Sequence, residues 1–153
     1  MIRRMEFIAG LGSAVAWPLV ARGQQGDARR IGVLMGRDED DPVVKTIISA
    51  FTQALAELGW TDGRNVRMDL RWAGVDINRI RALAQELVGL QPDIIVASNT
   101  PATVAVQRET RTIPIVFVNV GDPVVSGIVP RLDRPSGNVT GFATFEASLE
   151  RVA

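Results

Sequence analysis

Ile94-Ile95-Val96-Ala97-Ser98-Asn99-Thr100-Pro101 passes from an apolar run straight into a polar turn and a proline. Consecutive apolar residues rich in Ile and Val read as a strand buried on both faces. Thr100 is placed to cap a helix and Pro101 to sit in its first turn, where a missing N–H costs nothing. That helix is expected to run to about Thr110. A strand that hands over to a helix within a few residues is the building unit of a parallel sheet.

The same unit recurs on either side. Upstream, Ile31-Gly32-Val33-Leu34-Met35 ends at Gly36 as another buried strand. Asp41-Pro42 then offers an N-cap and a first-turn proline, and Val44, Ile47, Ile48, Phe51, Leu55 and Leu58 follow at helical spacing until Gly59. Val66–Trp72 alternates apolar and charged residues, as a strand near a sheet edge does. Ile77, Ile80, Leu83, Ala84, Leu87 and Val88 form a second helical face, broken by Gln91-Pro92. Downstream, Ile113–Val118 reads as a buried strand with Pro114 near its start, where a ladder N–H can be spared. A fading helical signal over Val124–Leu132 and a short strand over Asn138–Phe142 follow. Trp60 and Trp72 flank these elements at positions that suit core packing. Alternation at this spacing requires right-handed crossovers. The expectation is an α/β fold: a doubly wound, Rossmann-like parallel sheet of order 2-1-3-4-5.

Composition narrows the chemistry. The 153 residues contain no Cys, no His, and equal numbers of basic and acidic side chains, 17 each. Net neutrality argues against a nucleic-acid or anionic-membrane binder, both of which need a basic surface. Without His or Cys there is no Ser-His-Asp triad, no thiolate nucleophile and no zinc site of the usual ligands. Gly32 and Gly36 do not form a dinucleotide fingerprint, and no phosphate-binding G-x-x-x-x-G-K-[ST] occurs. No cofactor or metal is expected. The acidic run Asp38-Glu39-Asp40-Asp41 precedes a helix, where negative charge favours the positive end of the dipole.

Residues 1–23 read as an address. Arg3 and Arg4 precede an apolar stretch from Phe7 to Val20, and Ala21-Arg22-Gly23 puts small residues before Gln24. That is the layout of a secretory signal peptide, too short for a membrane span. The paired arginines point to the twin-arginine route, although Glu6 stands where that motif prefers an apolar residue. No Cys follows to carry a lipid anchor. Removing this segment takes away three basic and one acidic residue, leaving 14 and 16 in a periplasmic, soluble chain.

In an open parallel sheet, ligands bind beyond the carboxyl ends of the strands where the order reverses. The loops there are Arg37-Asp38, Ser98-Asn99-Thr100 and Asn119–Asp122, which makes Arg37, Asp38, Ser98, Asn99, Thr100, Asn119 and Asp122 the candidate ligand residues. The Ser98–Thr100 turn adds hydroxyl and amide groups to a helix N-terminus that attracts anions, so a small carboxylate is the natural guest.

Leu58-Gly59-Trp60, Gly63-Arg64-Asn65-Val66, Pro92-Asp93-Ile94-Ile95-Val96, Thr100-Pro101-Ala102-Thr103, Ile113-Pro114-Ile115-Val116-Phe117, Gly121-Asp122-Pro123-Val124 and Gly137-Asn138-Val139-Thr140-Gly141 occur in that order. In this order and spacing the chain resembles ABC-transporter substrate-binding proteins of the tryptophan/tyrosine type. The resemblance implies the first lobe of a type I periplasmic-binding fold, which closes with a second lobe on a small solute, often an amino acid, and docks on an ABC permease. It assigns no catalytic residue. It also implies an N-terminal lobe over residues 24–145, with residues 146–153 starting the crossover to a second lobe beyond this truncated sequence, one that a separate chain could supply. Two other readings compete: a small exported enzyme with Asp38 or Asp122 as base, and the effector lobe of a regulator. If the leader reading holds, export removes residues 1–23, and the mass of the exported chain will correspond to a first residue of Gln24.

Overall fold

The computed structural model describes residues 28–135 and 137–144; the leader at 1–23 and the crossover at 146–153 lie outside the described residues. The apolar runs form β1 (Arg29–Met35), β2 (Val66–Trp72), β3 (Ile94–Ser98), β4 (Ile115–Val120) and β5 (Val139–Ala143). Between the first four lie α1 (Pro42–Glu57), α2 (Ile77–Gly89) and α3 (Thr100–Glu109). All pairings are parallel, in the expected order β2-β1-β3-β4-β5.

The sheet buries its two faces unequally. Leu34, Ile95, Ala97, Ile115 and Phe117 pack with Ile80, Ala84 and Leu87 of α2 and Ala102, Ala105 and Val106 of α3 in the main core. On the other face, Val33, Met35 and Val44 of α1 are the buried centre of a smaller cluster that includes Ile48, Phe51 and Trp72. Trp72 packs as expected, whereas Trp60 stands 40% exposed beside Leu55 and Val66 at the amino ends of the strands, away from the core.

Local chemistry sets the boundaries. Asp41 caps α1 by accepting the Val43 N–H, Pro42 takes the first turn, and Gly59 ends the helix at φ +89°. Asp76 caps α2 through the N–H groups of Asn78 and Arg79. The fourth strand starts at Ile115, two residues later than the apolar run suggests. Thr110 Oγ1 accepts the N–H groups of Thr112 and Ile113, which folds both into a turn. Pro114 contributes only its carbonyl, to the Ile95 N–H.

The segment Val124–Leu132 does not form a helix. Asp122 accepts the N–H groups of Val124 and Val125, and the Pro123 carbonyl accepts those of Ile128 and Val129. This closes a tight turn that Gly127 leaves at φ +70°. Ile128 and Val129 are thereby delivered to the main core.

An ion pair locks the first two strands. Asp69 is 9% exposed and its two oxygens meet Nε and Nη2 of Arg30, whose Nη1 reaches the Leu90 carbonyl. The hydrogen bond from Arg30 holds the Asp69 carboxyl below the usual range against the opposing effect of burial. A depressed folded value stabilises the protein fully above the unfolded carboxyl value near ~4, and this contribution is lost as pH falls through the folded value. Asp69→Ala should therefore cost about 2 kcal/mol at neutral pH and flatten the acid limb of the stability curve. Urea denaturation of both proteins between pH 7 and ~3 checks this.

Candidate functional site

β1 leads into α1 and β3 leads into α3, and these helices pack on opposite faces of the sheet. The loops must diverge where the order reverses, and they border an open cleft of about 690 Å³. Arg37, Asp38, Ser98, Asn99 and Asn119 all lie on it. Thr100 and Asp122 do not. Thr100 is the first residue of α3 and faces a separate groove with Ile77 and Val104, while the Asp122 carboxylate is occupied by the turn that follows it.

Asn99 organises the cleft. It, not Thr100, caps α3: its Oδ1 accepts the Ala102 N–H at 3.0 Å. Its Nδ2 donates to the Gly36 carbonyl at 3.0 Å, and its own N–H donates to the Val118 carbonyl. A Cβ at position 36 would overlap this carboxamide, so the glycine permits the contact. Asn99 adopts φ +81°, a conformation uncommon for residues other than glycine. The hydrogen bonds that it makes to three segments hold it there.

Asn119, at φ +56°, lies in the irregular stretch of β4 between Phe117 and Val120. Its Nδ2 donates to Ser98 Oγ at 3.4 Å. Ser98 is only 4% exposed, and no described residue accepts its hydroxyl proton. In the first turn of α3 the Ala102 and Thr103 N–H groups are taken by Asn99 and Pro101 has none. Thr100 thus carries the one first-turn N–H without an acceptor among the described residues.

The acidic run does not act as a unit. Arg37 Nη1 pairs with Asp41 Oδ2 at 2.8 Å, and this hydrogen bond, with that from the Val43 N–H, holds the Asp41 carboxyl below its ordinary range. Asp40 lies 3.7 Å from Lys45. Asp38 borders the cleft.

The far wall is apolar. Val43, Ile47 and Val75 line the cleft while remaining 57%, 39% and 89% exposed. The sequence places Ile47 on a core-facing helix stripe and carries no obvious signal for the other two. Their clue is negative: Val43 falls off the α1 stripe, and Val75 stands alone between Gly74 and Asp76.

A family model described as ABC transporter substrate binding protein matches residues 39–153. The chain belongs to this family. A tyrosine-binding protein of Clostridioides difficile (strain R20291) is 33% identical over 116 residues, covering 74% of this chain and 34% of the relative. Among solved family structures, the ABC domain from Streptococcus pneumonia in complex with L-Trp superposes with a TM-score of 0.68 at 28% identity. That match covers 76% of this chain and 38% of the other. The ligand-free, open substrate-binding protein with adhesive properties from Clostridium difficile gives 0.71 at 30% identity, over 78% and 40%. The chain thus spans about a third of the curated relative and two fifths of the solved ones.

Its contacts to three segments make Asn99 the residue to perturb. Asn99→Ala removes a cap and a cross-loop hydrogen bond and leaves a Cβ-bearing residue at positive φ. Thermal or urea denaturation should show a loss of about 2 kcal/mol.

Proposed function

We propose that this cleft is the first lobe's half of a solute site, and that the chain is the extracytoplasmic solute-binding component of an ABC importer for an amino acid or similar small carboxylate. The observation that carries the reading is the Ser98 hydroxyl: buried, bordering the cleft, and with a proton that no described residue accepts. Ser98 Oγ accepts from Asn119 Nδ2 and its hydroxyl still has a proton to donate, which suits an acceptor that arrives with the ligand. Asn119 adds a donor on the same cleft, and a carboxylate can use both.

The relatives support this assignment, one being a tyrosine-binding protein and another a complex with L-Trp. Residues 1–23 serve as the export signal in this reading, and 24–145 as the binding lobe. Among the described residues, no helix is long and apolar enough to cross a membrane. The lobe performs no chemistry of its own. It presents one wall of the site, and a second lobe, in the same polypeptide or on a separate chain, provides the other. The closed pair then engages an ABC permease.

The experiment is a thermal-denaturation screen of the purified chain against amino acids and against small carboxylates. One ligand class at about 10 mM should raise the midpoint by a few degrees, corresponding to roughly 1 kcal/mol for a site of millimolar affinity. Ser98→Ala should abolish that shift while leaving the unliganded midpoint within about 2 °C. A chain that unfolds cooperatively but responds to no ligand would falsify the binding role for this lobe.

A further inference from the structure

The pole of the sheet opposite the cleft carries a groove of about 350 Å³ at the amino ends of β1, β2 and β3. Ile31, Leu55, Ile94 and the Trp60 indole wall it, and the Arg29–Asp93 ion pair, at 3.0 Å, forms its rim. Trp60 is 40% exposed, but its loop is firmly held. The Trp60 N–H donates to the Leu55 carbonyl, Asn65 Oδ1 accepts the Thr61 N–H, and Asn65 Nδ2 donates to the Gly59 carbonyl, each at 2.8 Å. These bonds fix the backbone on both sides of the indole. A large aromatic ring held over an open apolar groove marks a surface that is covered in some state of the chain.

The chain itself supplies a cover. β1 begins at Arg29, whose N–H donates to the Asn65 carbonyl and whose side chain lines the groove. The polypeptide that precedes Arg29 therefore joins the fold at the groove's rim. Ala21-Arg22-Gly23-Gln24-Gln25-Gly26-Asp27-Ala28 contains no large apolar side chain, so the first ones met on reading back are Val20, Leu19, Pro18 and Trp17. Nine residues of extended chain, from Val20 to Arg29, reach about 30 Å, ample to fold back across a groove that starts at the point of entry. Closing so short a loop costs little entropy, and the tether keeps the apolar segment at a high effective concentration. The apolar wall of the cleft is farther away: β1 is seven residues long, roughly 20 Å, and Val43, Ile47 and Val75 lie beyond its carboxyl end.

We propose that the Trp60 groove is the docking site for Trp17–Val20, the apolar end of the leader, in the uncleaved chain. Docking removes the apolar surface of both segments from water in one step. The leader's end is thereby sheltered while it is attached, and its removal uncovers the groove. The contact does not depend on the solute reading, because it requires only that the two segments belong to one polypeptide.

The test uses the full chain, which has no cysteine of its own. A nitroxide attached through Ala21→Cys is read by NMR at the amides of Ile31, Leu55 and Ile94 and at the Trp60 indole N–H. Ala21 is tethered near Arg29 in any case, so the comparison is the same labelled chain carrying Trp17→Ser and Leu19→Ser. Both substitutions lie outside the strands and helices of the lobe and should leave its amide spectrum unchanged away from the groove. Docking predicts that paramagnetic broadening of the groove signals is at least about threefold stronger with the apolar residues than with the serines. Equal broadening in the two chains is the effect of the tether alone and overturns the proposal. Stronger broadening at Val43 or Val75 than at the groove also overturns it, because the leader then lies at the cleft. Nitroxide-labelled chain is finally mixed with isotope-labelled chain that carries no nitroxide. Unchanged groove signals in the mixture are expected, whereas broadening there means that the groove takes the leader of a second copy and overturns docking within one chain.

Discussion

The carboxamide of Asn99 spends both its polar groups within the protein, one on the Gly36 carbonyl after β1 and one on the Ala102 N–H that opens α3. With the Asn99 N–H on Val118, this residue joins the carboxyl ends of β1, β3 and β4. A parallel sheet of this order must split apart at that point, because the adjoining helices leave for opposite faces. Without a strut the two loops would be independent, and the cleft between them would have no fixed width. Gly36 is small enough to accept the strut, and the positive φ of Asn99 is its cost. Because both polar groups of the Asn99 side chain are engaged within the protein, the polar side chains it leaves facing the cleft are those of Ser98 and Asn119.

The unequal faces of the sheet explain the rest of the cleft. α2 buries its apolar residues against β1 and α3, and α3 packs on β3 and β4, which fixes the Ser98 side of the cleft within a dense core. α1 buries only Val44 fully and holds the other face with a few partly covered residues. Val43 and Ile47 therefore remain on the surface at the amino end of α1. The same loose packing that limits the contribution of α1 to stability leaves an aliphatic wall available to a ligand.

Much of this was legible in the sequence, and the failures have physical causes. The strands and the first two helices follow from apolar periodicity, and Asp41-Pro42 marks a helix start unambiguously because both signals agree. At Ser98-Asn99-Thr100 three good capping residues stand in a row, and only the Gly36 contact, made 63 positions away, selects Asn99. β4 starts late because Thr110 captures the Ile113 amide, which periodicity alone assigns to a strand, together with that of Thr112. The Val124–Leu132 segment has helical composition, but Asp122 and Pro123 satisfy its backbone in a turn first. The residues that border the cleft divide the same way: topology placed Arg37, Asp38, Ser98, Asn99 and Asn119 there but also Thr100 and Asp122, which fall off it, and the apolar wall was not readable, since an exposed valine leaves no periodic trace.

Arg37 shows why counting charges in a loop misjudges a site. Read along the chain, Arg37 is one of the candidate ligand residues of the loop after β1. In the fold, one helical turn brings Asp41 to it, and the pair becomes internal. What remains for an anion is a set of neutral donors, and the Asn119–Ser98 contact, at 3.4 Å, is long enough that water competes with it. Neutral donors gain strength only where water is excluded and the effective dielectric falls. An open half-cleft cannot exclude water by itself. On the proposed reading a second surface would have to cover these donors, because they are weak in water.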